Sequence, residues 1–299
     1  MDMLNITDLY KSFGDKNVLR GVDLSVPEHS VFGFIGKNGA GKTTAMKAVL
    51  GLLKADSGEI TVNGERVVYG QGATNRYIGY LPDVPEFYSF MTAPEYLRFC
   101  GEITGMTKVQ TEARTEELLN LVGLSAEKHR IKGFSRGMKQ RLGIAQALLS
   151  KPKLLICDEP TSALDPVGRK EILDILLSVR EHTTVLFSTH ILSDVERICT
   201  DVALLNNGRI GIQGKLSDIK KRFRNGGYEI EVDSESDAMS ILNKFPNMKK
   251  IGRSCINFLE KDYALADVLR YLSDFRVPVL KIERSEPSLE ALFMEVAEK

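Results

Sequence analysis

The chain contains 299 residues, 43% of them hydrophobic and 27% charged, and its 40 basic and 40 acidic residues give no formal net charge. This length predicts one large domain with a smaller one, and the balanced charge argues against recruitment of nucleic acid or an anionic membrane by a net field. The four cysteines are widely spaced, which predicts reduced thiols in a cytosol. The sequence contains no apolar run of about 18 residues, so no membrane-spanning helix is predicted.

Two stretches near the start alternate apolar and polar residues, which is typical of antiparallel strands at the edge of a core: Leu4 to Leu9 and Val18 to Val26. Phe13 lies between them, shortly before a glycine-rich loop. An exposed aromatic ring at this point could stack on a nucleotide base, although a single phenylalanine is more often a packing residue.

The glycine-rich loop follows a buried apolar run, Val31 to Ile35, and precedes a helical segment, Ala45 to Leu53. Its Gly-x-x-x-x-Gly-Lys-Thr pattern brings amide N–H groups close to an anion, and the helix start favours phosphate. Lys42 is predicted to reach the β- and γ-phosphates, and the Thr43 hydroxyl to ligate Mg²⁺. The residues predicted to bind a nucleoside triphosphate are Gly36, Lys37, Asn38, Gly39, Ala40, Gly41, Lys42, Thr43 and Thr44.

A mostly helical stretch over about residues 92–150 is predicted as an insertion into an α/β core. It opens with a capping box formed by Thr92 and Glu95. Near its end, Ser135 is the expected N-cap of a helix that runs to about Ser150. By local pattern alone this last helix resembles any capped basic helix.

Two more buried strands are predicted to deliver polar side chains to the carboxyl edge of the sheet, where α/β proteins bind ligands. Lys153 to Asp158 ends in Asp158, which suits Mg²⁺, and is followed by Glu159, which could polarise an attacking water. Thr183 to Ser188 leads to His190, which could donate a hydrogen bond to a γ-phosphate, although an isolated histidine is more often a surface residue.

In this order the motifs resemble those of the ATP-binding subunit of ABC transporters, over about residues 1–215. The signature position is Phe134 to Gln140, the Walker B strand is Leu154 to Asp158, and Glu159 stands at the catalytic glutamate position. Phe13 falls at the base-stacking position and His190 at the switch histidine. The residues at the D-loop position are Ser162, Ala163, Leu164 and Asp165.

The resemblance implies an Mg²⁺-dependent ATPase in which two ATP molecules are sandwiched between two such subunits. The signature residues of one subunit would serve the ATP held by Lys42 of the other: Ser135, Arg136, Gly137 and Met138. It also implies a second ATP-binding subunit, in a homodimer or a heterodimer with the homodimer favoured, a separate integral membrane permease as partner, and a peripheral position on the cytoplasmic face of the membrane. No nucleic acid partner is expected, because the net charge is zero. ATP and Mg²⁺ are the expected cofactors.

Two departures from the usual family pattern point to one branch of it. Arg136 and Met138 interrupt the usual Leu-Ser-Gly-Gly-Gln signature, and Asp83 stands where a glutamine is expected, so that a carboxylate would face Mg²⁺. Both departures resemble the pattern of the branch whose members export drugs, antibiotics or bacteriocins through separate permeases. The surface around Asp83 and the segment after it, Val84 to Phe90, is the expected docking site for the permease.

The alternative is a soluble ABC-type ATPase that acts on ribosomes or DNA. Ribosome-associated members usually carry two cassettes in one chain, and DNA-repair members carry a long coiled coil, whereas this chain shows one cassette with a short helical insertion. The neutral charge also argues against nucleic-acid contact.

The predicted fold is therefore an α/β P-loop cassette over residues 1–215, with a mixed sheet core, an antiparallel β edge and a helical subdomain at about 92–150. A linker helix is expected at 216–227. The β-α-β-β-α-β order over residues 228–299 predicts a small ferredoxin-like α+β domain, closed by a helix from Leu289 to Ala297.

Overall fold

A computed structural model of the chain describes residues 2–222, 227–285 and 289. It divides into two compact units, residues 1–216 and 217–299. Within the described residues, no helix combines the length and the apolar character needed to cross a membrane. The four cysteines are all free thiols.

The first unit is built from two sheets and a group of helices. Its strands are β1 (Asp2–Phe13), β2 (Lys16–Pro27), β3 (Val31–Ile35), β4 (Ser57–Val62), β5 (Glu65–Arg66), β6 (Ile78–Leu81), β7 (Leu154–Cys157), β8 (Thr184–Thr189), β9 (Asp201–Asn206) and β10 (Arg209–Lys215). Its helices are α1 (Lys42–Val49), α2 (Ala93–Ile103), α3 (Lys108–Leu121), α4 (Arg136–Leu148), α5 (Pro166–Ser178) and α6 (Leu192–Ile198), with 3₁₀ turns at Ala73–Tyr77 and Ile131–Gly133.

The central sheet has the order β10-β9-β3-β8-β7-β6, parallel except for β10. Strands β3, β7 and β8 are buried along their whole length, which explains their continuous apolar sequences. Because the strands are parallel, β3, β6, β7 and β8 all end at one edge. This arrangement brings the loop after Ile35, Asp83, Asp158 and His190 to the same side of the sheet.

The antiparallel strands predicted at the edge of the core are confirmed. They form a separate sheet of order β2-β1-β4-β5, whose apolar side chains pack against one face of the central sheet and against α1. Leu4, Ile6, Phe32, Phe34 and Met46 are fully buried in this layer.

The predicted helical insertion contains two helices before the signature region rather than one continuous pattern. The capping box at Thr92 starts α2, and a second box, in which the Gln110 side chain accepts from the Thr107 backbone amide, starts α3. The chain therefore turns at about residues 104–107, a break that a continuous helical periodicity does not reveal. Ser135 caps α4 as predicted, because its hydroxyl accepts a hydrogen bond from the Met138 amide at 3.2 Å.

Helix α4 lies directly on strand β6 at Gly79. A Cβ added at Gly79 would stand 2.1 Å from the carbonyl oxygen of Ala147, a backbone atom that cannot rotate away. We therefore expect Gly79→Ala to lower the free energy of unfolding of the first unit by about 2–3 kcal/mol or more, through overpacking. Urea unfolding of the full chain measures the loss.

Gly133→Ala is the matched control for this prediction. A Cβ at Gly133 meets no atom within 4 Å, so the control should change stability by less than about 1 kcal/mol. Equal effects of the two substitutions would contradict the close approach of α4 and β6.

Helix α7 (Leu216–Arg222) begins at the last residue of the first unit. The second unit continues with β11 (Gly227–Val232), α8 (Glu235–Lys244), β12 (Lys249–Lys250), β13 (Cys255–Leu259), α9 (Leu265–Asp274) and β14 (Val279–Ser285). Its antiparallel sheet has the order β12-β13-β11-β14, which is the ferredoxin-like arrangement predicted from the sequence. Ile230, Ile256 and Phe258 of the sheet pack against Ile241 and Val268 of the helices. Residues 223–226 of the predicted linker and all of the predicted closing helix except Leu289 lie outside the described residues.

Candidate functional site

The glycine-rich loop lies between β3 and α1, and its conformation depends on Gly41. Gly41 precedes the first helical residue with φ 112°, a left-handed conformation that favours glycine. A Cβ there would also stand 2.9 Å from the Leu19 side chain. The loop therefore turns directly into the amino end of α1, where helix amides favour an anion.

Lys42 is the first residue of α1 and is buried, with 6% of its side chain exposed. Its Nζ donates to the carbonyl oxygen of Gly36 at 2.6 Å and lies 3.0 Å from Oε1 of Glu159. The second contact lies outside hydrogen-bond geometry, since Oε1 has no hydrogen-bond partner although it is buried. The contact is therefore an ion pair without a directed hydrogen bond. A phosphate in the loop can compete with Glu159 for Lys42.

Asp158 is held by two hydroxyl groups at the end of β7. Its Oδ2 accepts from Thr43 Oγ1 at 2.7 Å and its Oδ1 accepts from Ser188 Oγ at 2.6 Å. Ser188 in turn accepts a hydrogen bond from the Glu159 amide at 2.9 Å. The structure thus brings together Thr43 and Asp158, two of the three residues predicted to hold Mg²⁺, and adds Ser188; the third, Asp83, lines the nearby cleft. Ser188 was not predicted; the signal for it is a small hydroxyl residue near the carboxyl end of a buried strand.

Glu159 and His190 follow neighbouring strands and meet above the sheet edge. His190 Nδ1 lies 2.9 Å from Glu159 Oε2. Glu159 has φ 48°, a left-handed conformation that costs a non-glycine residue about 1–3 kcal/mol and is concentrated at functional sites. Its carboxylate is 13% exposed, so it borders the cleft and is shielded from bulk water.

These groups surround an open cleft of about 440 Å³. The cleft combines two lysines and a histidine with two carboxylates and the backbone of the glycine-rich loop. Its lining residues are Lys16, Val18, Asn38, Gly39, Gly41, Lys42, Thr43, Thr44, Asp83, Glu159, Ser162 and His190. Phe13 is not among them; it lies at the end of β1, half exposed, with Lys11 Nζ 5.3 Å from the centre of its ring.

The signature residues at the start of α4 do not line this cleft. Ser135 and Arg136 are exposed, while Gln140, one turn further along the helix, is buried and donates to the carbonyl oxygen of Asp83 at 2.7 Å. Sequence analysis did not single out this contact. It fixes the backbone after β6 to the helix that carries the signature.

The residues at the D-loop position lie between the cleft and helix α5. Ser162 donates to Asp83 Oδ1 at 3.2 Å, and Asp165 caps α5 by accepting from the Gly168 amide at 3.0 Å. Between them, Ala163 has φ 53° and Leu164 is half-buried. Just before the loop, buried Thr161 donates to Asp194 of α6 at 2.7 Å, a link that sequence analysis also missed.

The donor set at Asp158 fits Mg²⁺ in a nucleotide complex. Mg²⁺ prefers oxygen ligands and is usually bound through one or two carboxylates together with phosphate oxygens. Thr43 and Asp158 supply one hydroxyl and one carboxylate beside the loop. Among the described residues, no group of three or more His, Cys, Asp or Glu side chains could hold a metal ion; in a nucleotide complex, phosphate oxygens and water would supply the remaining ligands.

Comparison with known proteins gives matches over both units. Residues 19–162 match the family described as ABC transporter, and residues 214–297 match the family described as ATP-binding protein DrrA1-3-like, C-terminal domain.

Two relatives match almost the whole chain. The bacitracin transport ATP-binding protein BcrA of Bacillus licheniformis is 34% identical over 300 residues, with 98% of this chain and 97% of that protein covered. The linearmycin resistance ATP-binding protein LnrL of Bacillus subtilis (strain 168) is 30% identical over 303 residues, with 98% and 97% covered. A solved ATP-binding subunit of an ABC transporter superposes with a TM-score of 0.66 and 34% identity, covering 74% of this chain and 93% of that one.

Proposed function

Because this chain belongs to the ATP-binding subunits of ABC transporters, we propose that it powers export of a drug, peptide antibiotic or similar compound through a separate integral membrane permease. ABC ATP-binding subunits hydrolyse ATP in transport, dimerise and work with membrane permeases.

One observation carries the proposal. The match to the bacitracin transport protein extends through the C-terminal unit and leaves only 2% of this chain uncovered, whereas similarity to a solved ATP-binding subunit covers 74%. The similarity to a resistance protein has the same full extent. A shared accessory unit supports a shared kind of transporter more strongly than a shared cassette does.

In the proposed mechanism, the loop amides and Lys42 bind the phosphates of ATP, and Glu159 accepts a proton from the water that attacks the γ-phosphorus. The products are ADP and inorganic phosphate. His190 orients Glu159 through the 2.9 Å contact and donates to the γ-phosphate. Thr43 and Asp158, with Asp83 at the cleft wall, would hold Mg²⁺, which when bound offsets negative charge on the phosphates.

We further propose that the signature residues act on the nucleotide of the partner subunit. The start of α4 lies outside the lining of its own cleft, and its exposed amino end can present backbone amides to an anion. A two-fold homodimer places the same patch on both subunits, so each ATP would lie between the glycine-rich loop of one subunit and Ser135 of the other. Phe13 would stack on the base.

The proposed contact with the permease is the segment after Asp83. Val84, Tyr88 and Phe90 have exposed fractions of 64%, 51% and 62%, and Tyr88 packs edge-on against Phe99 of α2 at 5.5 Å. Clustered exposed aromatic side chains are typical of interface anchors. This contact would hold the chain on the cytoplasmic face of the membrane.

The test pairs the chain with a candidate permease, taken from any integral membrane protein that a neighbouring gene encodes. We expect co-expression in a drug-sensitive bacterium to move the chain into the membrane fraction and to lower accumulation of a peptide antibiotic, and we expect Glu159→Gln to abolish the second effect only. Recovery of the chain with ribosomes or DNA, and not with membranes, would instead favour the alternative function. Antibiotic uptake that rises with the active pair would reverse the proposed direction.

A further inference from the structure

Arg136 and Asp83, two of the three residues that depart from the usual family pattern, contact each other in this chain. The guanidinium Nη2 of Arg136 lies 3.6 Å from Asp83 Oδ1 and 3.4 Å from Ser162 Oγ, and Ser162 also donates to Asp83 at 3.2 Å. The three side chains come from three segments: the start of α4, the segment after β6, and the D-loop. They form one polar cluster.

This cluster has one member outside the nucleotide cleft and two members in its wall. Asp83 and Ser162 line the cleft, and Arg136 does not. In the proposed dimer, on which this inference rests, Arg136 faces the nucleotide of the partner subunit. The arginine therefore lies between two nucleotide sites, with acceptors of its own chain on one side and phosphates held by the partner on the other.

The cluster is weak enough to be exchanged. The side chains of Arg136 and Asp83 are 45% and 48% exposed, and an exposed pair of this kind changes an equilibrium constant by at most about five-fold. A phosphate carries more negative charge than a carboxylate and accepts two parallel hydrogen bonds from guanidinium. A nucleotide phosphate within reach is therefore the stronger partner for Arg136.

We infer that Arg136 is a switch residue shared by the two nucleotide sites. In the free subunit it neutralises Asp83 of its own cleft, and on dimer closure it moves to the phosphates bound by the partner subunit. After that exchange, the Asp83 carboxylate can interact with the nucleotide and metal bound in its own cleft. ATP bound in one cleft thus changes the charge of the other cleft.

If Arg136 is exchanged in this way, substitutions of Asp83 and of Arg136 should have opposite effects on dimer closure. Removing the charge of Asp83 frees Arg136 before the dimer closes. Removing Arg136 eliminates its contact with the phosphates held by the partner subunit. We would measure the ATP concentration that gives half-maximal dimer in the Glu159→Gln background, by sedimentation of the full chain with excess Mg²⁺. Asp83→Asn keeps an oxygen for the metal and should lower this concentration about two- to five-fold.

Arg136→Ala should raise the half-maximal ATP concentration about tenfold or more, because a hydrogen-bonded charge pair is lost. The double variant should match Arg136→Ala within about two-fold, since there is no arginine left to release. Lys132→Ala, which removes an exposed positive charge before the same helix, is the control and should change nothing. Thermal unfolding of each variant would confirm that these exposed substitutions leave the fold intact.

A merely structural pair would give a different result: Asp83→Asn and Arg136→Ala would shift dimer closure in the same direction. That outcome overturns the inference, as does a double variant that matches Asp83→Asn, or an Asp83→Asn variant indistinguishable from the parent. A parent that never dimerises with ATP overturns this inference and the proposed dimer together. A parent that dimerises while all variants behave alike overturns the inference alone.

Discussion

Glu159→Gln is expected to lower kcat for ATP hydrolysis by about 100-fold to 10,000-fold, the usual contribution of a positioned general base. Glutamine keeps the size of the side chain but cannot accept the proton of the attacking water. Nucleotide binding should persist, since the loop and Lys42 are unchanged. With hydrolysis blocked, ATP should convert the subunit into a stable dimer, detected by gel filtration alongside the rate of phosphate release.

The matched control for this prediction is Glu181→Gln, an exposed glutamate between α5 and β8. It should leave both the rate and the elution volume unchanged. If the Glu159→Gln variant hydrolyses ATP within tenfold of the wild-type rate, another group must accept the proton of the attacking water. A Glu159→Gln protein that remains monomeric at every workable ATP concentration would contradict the proposal that each ATP is bound between two subunits.

Lys42→Ala is expected to weaken ATP binding by about 100-fold or more, because it removes charge-assisted hydrogen bonds to two phosphates. The same change leaves the buried Oε1 of Glu159 without the cation that lies 3.0 Å away, so we also expect a lower free energy of unfolding. Equilibrium titration with a fluorescent ATP analogue measures the affinity, and urea unfolding measures the stability.

Two further variants distinguish the loss of the Lys42 charge from the loss of its apolar stem and from a general effect of substitution on α1. Lys42→Met keeps most of the apolar stem and removes only the charge, so it should lose ATP affinity to a similar degree. Lys47→Ala, at an exposed position on the same helix, should bind ATP normally. A folded Lys42→Ala protein that binds ATP within fivefold of wild type would contradict the assignment of Lys42 to the phosphates.

Sequence patterns predicted those parts of the site that are continuous in the chain. The glycine-rich loop between a buried strand and a helix, and the carboxylates at the end of β7, follow from local spacing and from the rule that parallel strands end at one edge. The antiparallel edge and the ferredoxin-like order of the second unit follow from alternation and element order in the same way.

Contacts between distant segments were not predictable from those patterns. Ser188 lies 30 residues from Asp158, and Gln140 lies 57 residues from Asp83, so only the folded sheet shows that they meet. The break between α2 and α3 was missed for another reason. Thr107 and Gln110 form a capping box inside a stretch with continuous helical spacing, and that spacing obscured the local signal.

The contacts between α4 and the chain around β6 have a mechanical consequence. Gly79 and Gly143 leave room for no added atom at this junction, Gly143 also faces Pro85, and Gln140 fastens the carbonyl of Asp83. We therefore expect a displacement of Pro85 to move α4 and Ser135 with it. In the proposed assembly, this coupling would link the exposed aromatic segment, where the permease is proposed to bind, to the signature residues at the nucleotide of the partner subunit.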